Sequence, residues 1–223
     1  MSEAERTLFI ADLSGYTALT ETHGAMHASE IVLRFGQLAD ASLEPGVTIV
    51  DRVGDQVLCV GADTDAVLRC ALRLCTAIER EPNFLGVQAA IHLGPVVERA
   101  GRLFGMPLNV TARLASHALA GQILCTERVA AVARRHPGIT AYLAGEKRFK
   151  NVSLPVVVYE LTRIGQLAKA PVIDPVCRMQ VKPLKAAAAI QHQGVAYHFC
   201  SPECARLFGE APERYARSWP GKQ

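Results

Sequence analysis

The 223-residue sequence has no long apolar run, no block of basic residues and few aromatic residues. No stretch of about 18 uncharged apolar residues occurs, which argues against a membrane-spanning helix and a membrane partner. The N-terminus, MSEAERTLF, is acidic and polar, unlike a signal peptide. The net charge of +3 comes from scattered arginines, so no nucleic-acid partner is indicated. We therefore expect a cytoplasmic α/β protein.

A disulfide framework is also not indicated, although the chain has seven cysteines, because we expect it in the cytoplasm. Four cysteines stand singly in apolar segments and are predicted to be core residues: Cys59, Cys70, Cys75 and Cys125. The other three, Cys177, Cys200 and Cys204, are spaced C-x22-C-x3-C. Thiolates at this spacing can converge on Zn²⁺ or Cu⁺, with His198 as a candidate further ligand. The alternative is three buried thiols in a small domain.

The apolar pattern alternates between strand-like and helix-like segments, which predicts an α+β fold with helices packed on one face of a mixed sheet. The predicted strands cover residues 7–11, a hairpin at 46–61 with Gly54 in its turn, and residues 87–101, 121–126 and 148–162. The predicted helices cover residues 29–43, 64–80, 106–119 and a segment that ends at His136. We predict one domain at 1–163, a linker at 164–173 and a second, smaller domain at 174–223.

Two carboxylates stand where predicted strands end. Asp12 follows the first strand in FIADLSGYTAL, and Asp55 lies in the hairpin turn. Neighbouring strands can bring both to one edge of the sheet, where Mg²⁺ or Mn²⁺ would relieve their repulsion. The turn that follows Asp12 offers backbone N–H groups for phosphate oxygens at Ser14, Gly15, Tyr16 and Thr17. The alternative is that each aspartate only caps or turns the chain.

Four segments, FIADLSGYTALTE, DRVGDQVLCVG, VQAAIHLGPVV and LFGMPLNVTARLAS, resemble the class III nucleotide cyclase domain in their order and spacing. The resemblance covers about residues 6–162. It implies a ferredoxin-like core and a head-to-tail homodimer with active sites between the subunits. It also implies that Asp12 and Asp55 bind two Mg²⁺ or Mn²⁺ ions, and that the substrate is a purine nucleoside triphosphate, ATP or GTP.

Five further positions align with sites of that family, and three of them match it. The resemblance implies that Asn109 orients the ribose, Arg113 stabilises charge that develops on the phosphate, and Lys150 contacts the triphosphate. Two base-recognising positions depart from the family, because Asp51 replaces a lysine and Arg102 replaces its acidic partner. A crossed Asp51–Arg102 pair can still recognise a purine edge; the alternative is that the site no longer recognises ATP.

The C-terminal segments DPVCRMQV and YHFCSPECARLFGEAPERY, within residues 174–215, resemble the YHS domain. This resemblance implies a small metal-associated module, and Arg178 departs from it where the family commonly has glycine. The combination predicts a nucleotide cyclase whose YHS domain senses a heavy-metal ion. Two alternatives stay open: an inactive or nucleotide-binding-only homologue, and a metal-trafficking protein that uses the cyclase fold as a dimer scaffold.

Overall fold

The structure is a computed structural model that describes residues 3–163 and 172–216. Its N-terminal part contains eight strands: β1 (Ala4–Leu13), β2 (Val47–Val53), β3 (Gln56–Gly61), β4 (Val87–Arg99), β5 (Arg102–Phe104), β6 (Ile123–Thr126), β7 (Ile139–Lys147) and β8 (Val156–Arg163). Four helices accompany them: α1 (Tyr16–Ala41), α2 (Thr64–Arg80), α3 (Met106–Ala115) and α4 (Glu127–Ala133). No helix of the described residues is long and apolar enough to cross a membrane.

The strands form one mixed sheet in the order β2-β3-β1-β4-β6-β8-β7, with β5 paired to β4. The β4–β6 pair is parallel, and the other pairs are antiparallel. The α+β class, the hairpin around Gly54 and the helix at 64–80 are therefore confirmed. Strand β1 lies in the middle of the sheet, so its C-terminal end can meet residues from strands on both sides.

The expectation that all helices pack on one face of the sheet is wrong. Side chains alternate along β1: Phe9 packs in the core beneath α1, α2 and α4, whereas Ile10 packs on the other face against Val110 and Leu114 of α3. Because both faces of the central strands are apolar, each must be covered. Asp12 has the same parity as Ile10 and therefore lies on the α3 face of the sheet.

Two further differences from the predicted elements have physical causes. Strand β7 has no predicted counterpart: it lies at one edge of the sheet and has no fully buried residue, so its sequence carries no buried apolar pattern. Helix α1 begins at Tyr16, well before the predicted segment, and is interrupted at Gly24, whose φ of 81° and ψ of 163° are not helical. The segment Tyr16–His23 is thus a short helical arm that directly follows the loop after Asp12.

The C-terminal part is a small domain built from two-stranded pairs and short helices. Strand β9 (Val172–Ile173) pairs with β10 (Gln180–Val181), and β11 (Ala188–His192) pairs with β12 (Val195–Phe199). A 3-10 turn (Pro183–Lys185) and the helices α5 (Pro202–Glu210) and α6 (Pro212–Ala216) complete it. Strand β9 falls within the predicted linker at 164–173; the rest of that linker, residues 164–171, lies outside the described residues.

The two parts of the chain share one apolar core. Cys177, Phe199 and Phe208 of the small domain belong to the same buried cluster as Leu13 and Leu19 of the large one. The small domain is therefore packed against the end of β1 and the start of α1, where the predicted phosphate loop lies.

Candidate active site and metal centre

The carboxylates Asp12 and Asp55 lie on adjacent segments at one end of the sheet. Asp12 is paired with Gln56 of β3 on one side and with Gln88 of β4 on the other. Asp55 immediately precedes β3, and its carbonyl oxygen accepts a hydrogen bond of 3.1 Å from the N–H of Leu13. The structure thus places the hairpin turn against the residue that follows Asp12, as the strand-end argument predicted.

Both aspartates hold their protons more tightly than exposed carboxyl groups do. Burial, and secondly the charge of Asp55, raises the pKa of Asp12 to about 6. Burial also raises the pKa of Asp55. Two half-buried carboxylates that repel one another favour a cation between them, and hard divalent ions such as Mg²⁺ and Mn²⁺ prefer oxygen ligands. The pair therefore fits the metal set that the sequence implied.

The loop after Asp12 leads directly into a helix N-terminus. Gly15 precedes α1 with a φ of 96°, a left-handed conformation that favours glycine. The N–H groups of Tyr16 and Thr17 lie in the first helical turn, where no carbonyl of the helix can accept from them. The N–H of Ser14 is engaged differently, because it donates to the carbonyl oxygen of Gly86 at 2.8 Å. The N–H of Ser14, one of the predicted phosphate-binding groups, instead holds the loop against the segment before β4.

The other predicted nucleotide-binding residues are exposed. Asn109 and Arg113 lie four residues apart on α3, and Lys150 lies in the connection between β7 and β8. Asp51 on β2 and Arg102 on β5 are also exposed, and in the part of the chain that the structure describes no ion pair joins them. Within one chain, β3, β1 and β4 separate β2 from β5.

The three cysteines of the small domain converge with an imidazole. The Sγ atoms of Cys177 and Cys200 are 3.4 Å apart, and those of Cys200 and Cys204 are 3.6 Å apart. The Nε2 atom of His23 lies 3.6 Å from Cys200 Sγ and 3.5 Å from Cys204 Sγ. All four ligand atoms lie within 4.8 Å of one another. Three sulfurs and one nitrogen are a common structural zinc set.

The sequence indicates His198 as a candidate further ligand, whereas the imidazole that lies beside the thiols in the structure is that of His23. The prediction assumed that His198 and Cys200 share one face of an extended strand, but β12 ends at Phe199 and Cys200 lies beyond it. Alternation along the strand therefore does not extend to Cys200. His23 was missed because it lies 154 residues before Cys177 in the sequence. The sequence offers only one hint: His23 lies four residues before His27 on the same helix, and histidine is a residue type suited to metals.

Asp174, which sequence reasoning also missed, holds the cysteine loops in place. This fully buried carboxylate accepts hydrogen bonds from the backbone N–H groups of Val176 at 2.8 Å and Cys177 at 3.4 Å through Oδ1, and from that of Cys200 at 2.8 Å through Oδ2. It thereby bridges the two segments that carry the first and second thiols. Hydrogen bonds from the neighbouring thiols of Cys177 and Cys204 lower the pKa of Cys200, so the trio favours a thiolate there.

Replacing Asp174 by Asn is expected to weaken Zn²⁺ binding by about 10- to 100-fold, as losses of outer ligand supports do. The amide keeps one acceptor oxygen but turns an NH₂ group toward a backbone N–H. Zn²⁺ affinity, measured by competition with a chromophoric chelator, checks this. Asp63→Asn is the matched control, because Asp63 also accepts from a backbone N–H, at the exposed start of α2. Equal affinities in the two variants would contradict the role of Asp174.

Arg178 has a left-handed backbone conformation, which glycine adopts more readily than other residues. Its φ is 70°, and its N–H donates to the carbonyl oxygen of Asp174 at 2.9 Å. The turn next to Cys177 is therefore closed by a backbone hydrogen bond although arginine stands at this position. The stem of Arg178 lies so close to Gly15 that a Cβ on Gly15 would collide with its Cβ and Cγ atoms. A residue of the small domain thus covers the loop after Asp12.

Comparisons with known proteins give matches for both parts of the chain. Residues 172–219 match the YHS domain family. A pH-sensitive adenylate cyclase of Mycobacterium tuberculosis is 29% identical over 160 residues, which are 70% of this chain and 40% of that relative. A copper-transporting P-type ATPase of Rhizobium leguminosarum is 46% identical over 48 residues, or 22% of this chain and 6% of the ATPase. The matched part of this chain therefore spans well under half the length of these relatives.

A solved structure of an adenylate/guanylate cyclase/hydrolase from Silicibacter pomeroyi superposes with a TM-score of 0.60 at 25% identity. The superposition covers 73% of this chain and 98% of that structure. The residues that match the YHS domain family contain the three thiols of the Cys/His cluster. The chain therefore consists of a domain with the class III nucleotide cyclase fold followed by a YHS domain.

Proposed function

We propose that this protein is a homodimeric nucleotide cyclase that converts a purine nucleoside triphosphate into a cyclic nucleotide and pyrophosphate. The observation that carries the proposal is the pair Asp12 and Asp55, which lie side by side at one end of the sheet, close to the N-terminus of α1. The cyclases of Mycobacterium tuberculosis and Silicibacter pomeroyi support it, because both are named for this chemistry. We place the reaction in the cytoplasm, where ATP and GTP are available.

In the proposed reaction the ribose 3′-oxygen attacks the α-phosphorus, the bond from that phosphorus to pyrophosphate breaks, and the 3′-hydroxyl proton leaves. Divalent ions held by Asp12 and Asp55 would favour the 3′-alkoxide and neutralise the triphosphate. The N–H groups of Tyr16 and Thr17 would donate to phosphate oxygens at the N-terminus of α1. Arg113 would stabilise the charge that develops on the phosphate, and Lys150 would bind the triphosphate as a point charge.

A homodimer is part of the proposal because the catalytic side chains of one protomer are exposed. Asn109, Arg113 and Lys150 stand on the surface, as do several large apolar side chains near them in the chain, Phe104 and Met106 among them. Exposed apolar groups around functional side chains are typical of an interface. A partner subunit would bring Asn109 and Arg113 to the ribose and phosphate held by Asp12 and Asp55.

The proposed substrate is ATP or GTP, and the groups that would contact the purine base are Asp51 and Arg102. Asp51 accepts hydrogen bonds and Arg102 donates them, so together they offer both partners that a purine edge needs. Their charges are the reverse of those expected at these family positions. This reversal favours one second candidate: a homologue that binds nucleotide without turning it over, or no longer binds it, while the YHS domain binds a metal ion.

For the YHS domain we propose a soft or borderline ion, Zn²⁺ or Cu⁺, held by Cys177, Cys200 and Cys204. The thiol spacing supports it, since adjacent sulfurs 3.4 Å and 3.6 Å apart suit ligands of one ion. The match to a copper-transporting ATPase supports a heavy metal in the same segment.

The test of the catalytic proposal is turnover of ATP and of GTP by the purified full chain with Mn²⁺ or Mg²⁺. We expect a cyclic product from at least one nucleotide and a loss on the order of 1000-fold in Asp55→Asn. Asp63→Asn, remote from the site, should keep full activity. A folded, dimeric protein that makes no product from either nucleotide would overturn the proposal. Nucleotide binding without product would then establish the second candidate.

A further inference from the structure

The Cys/His cluster is formed by both domains of the chain. Its three thiols come from the YHS domain, but its imidazole, His23, comes from helix α1 of the cyclase-fold domain. In a tetrahedral zinc site, bond lengths of about 2.3 Å to sulfur and 2.0–2.1 Å to nitrogen put neighbouring ligand atoms about 3.5–3.8 Å apart. Four of the separations within the cluster, at 3.4–3.6 Å, are close to this geometry, and the remaining pairs of ligand atoms lie within 4.8 Å of one another.

A second set of contacts joins the domains at the loop after Asp12. The N–H of Gln180 donates to the carbonyl oxygen of Phe84 at 2.7 Å, and Met179 forms an isolated β-bridge with Leu85. The next residue, Gly86, accepts the hydrogen bond from Ser14. A short backbone path therefore leads from the YHS strand β10 to the loop that carries the predicted phosphate-binding amides.

The helical arm Tyr16–His23 connects the two places. One end follows Gly15, which is covered by Arg178, and the other end carries the imidazole of the cluster. Its eight residues span about 12 Å, and the non-helical Gly24 separates it from the rest of α1. A metal ion bound at His23 would hold one end of a rigid element whose other end forms part of the active site.

We propose that His23 is the fourth ligand of a Zn²⁺-type ion bound by Cys177, Cys200 and Cys204, and that this interdomain centre controls the cyclase site through the arm Tyr16–His23. The control rests on the proposed cyclase function, whereas the ligand set does not. With metal bound, the arm and the loop after Asp12 are fixed. Without metal, His23 is released from the thiols and the arm can pivot at Gly24. Metal loading is therefore expected to raise turnover.

The ligand set is tested on the full-length protein with Co²⁺ as a spectroscopic substitute for Zn²⁺. The wild type and His198→Ala are expected to give the same visible spectrum of a tetrahedral site with three sulfurs and one nitrogen. His23→Ala is expected to give an altered spectrum and Zn²⁺ binding weaker by at least about 100-fold, the upper end of what outer-shell losses cause. His23→Asn is a second variant in case the alanine protein fails to fold. A spectrum and affinity unchanged by either His23 variant, or lost in His198→Ala, would overturn the assignment.

The proposed control of the cyclase site by the metal is tested by measuring turnover and metal binding side by side. In the wild type, removal of the thiol-bound metal with a chelator is expected to lower kcat several-fold, and its return as Zn²⁺, at constant Mg²⁺, to restore it. In His23→Ala, which keeps the three thiols, the same cycle should leave kcat at the low value. Equal kcat with and without Zn²⁺ in an active wild type would overturn the proposed control of the cyclase site by the metal. A wild type without activity that shows the His23-dependent Co²⁺ spectrum would instead overturn the proposed cyclase function and keep the interdomain site.

Discussion

A mixture of two inactive variants, Asp55→Asn and Arg113→Ala, is expected to recover about a quarter of wild-type cyclase activity, because half of randomly paired dimers are mixed and each has one intact site. Asp55 and Arg113 come from different protomers at every proposed site. In a mixed dimer one site therefore receives both defects and the other receives none. Cyclic product is measured after the two proteins have been unfolded and refolded together, or expressed together.

The matched control is a mixture of Asp12→Asn with Asp55→Asn. Both carboxylates belong to one half-site of the same protomer, as the hydrogen bond between Leu13 and Asp55 shows. Every site of a mixed dimer then lacks one carboxylate, so activity should not return. Recovery in this control, or no recovery in the first mixture although mixed dimers form, would contradict a shared site.

The sequence identifies the carboxylate pair because two local signals coincide. Asp12 and Asp55 each stand at the end of an apolar strand. A hairpin leaves little choice of register, so β3 is expected to pair with β2. The structure confirms the hairpin and places both residues at one end of the sheet. The residues on α3 were found by resemblance alone, since an exposed Asn–Arg pair four residues apart is common on helices.

The metal centre could be predicted only in part, because its ligands come from distant parts of the chain. The thiols are marked by their spacing within one small domain, and spacing is local information. His23 and Asp174 are marked by nothing comparable: one depends on how the domains pack, and the other acts through backbone amides. Long-range packing also explains why the position of α3 on the second face was missed. Apolar residues at both parities of β1 show that two faces are covered, but not by which helix.

Replacing Gly15 by Ala is expected to destabilise the protein by about 3 kcal/mol, the sum of two effects. A side chain at a φ of 96° is strained, and its Cβ would collide with the stem of Arg178. Gly46→Ala separates these effects, because Gly46 has a φ of 80° but no neighbouring atom within 4 Å of the point where a Cβ would stand. That variant should lose only about 1 kcal/mol. Urea unfolding of the metal-free full chain measures both.

The collision can be removed from the other side of the domain junction. Arg178→Gly deletes both atoms that a Cβ on Gly15 would meet, and glycine suits the φ of 70° at that position. The double variant Gly15→Ala with Arg178→Gly should therefore recover the part of the loss that comes from the collision, about 2 kcal/mol. Arg178→Ala retains the Cβ and should recover little. If Arg178→Gly and Arg178→Ala rescue Gly15→Ala equally, or neither does, the stem of Arg178 does not rest on Gly15. The contact would then contribute nothing to the coupling of the YHS domain to the loop after Asp12.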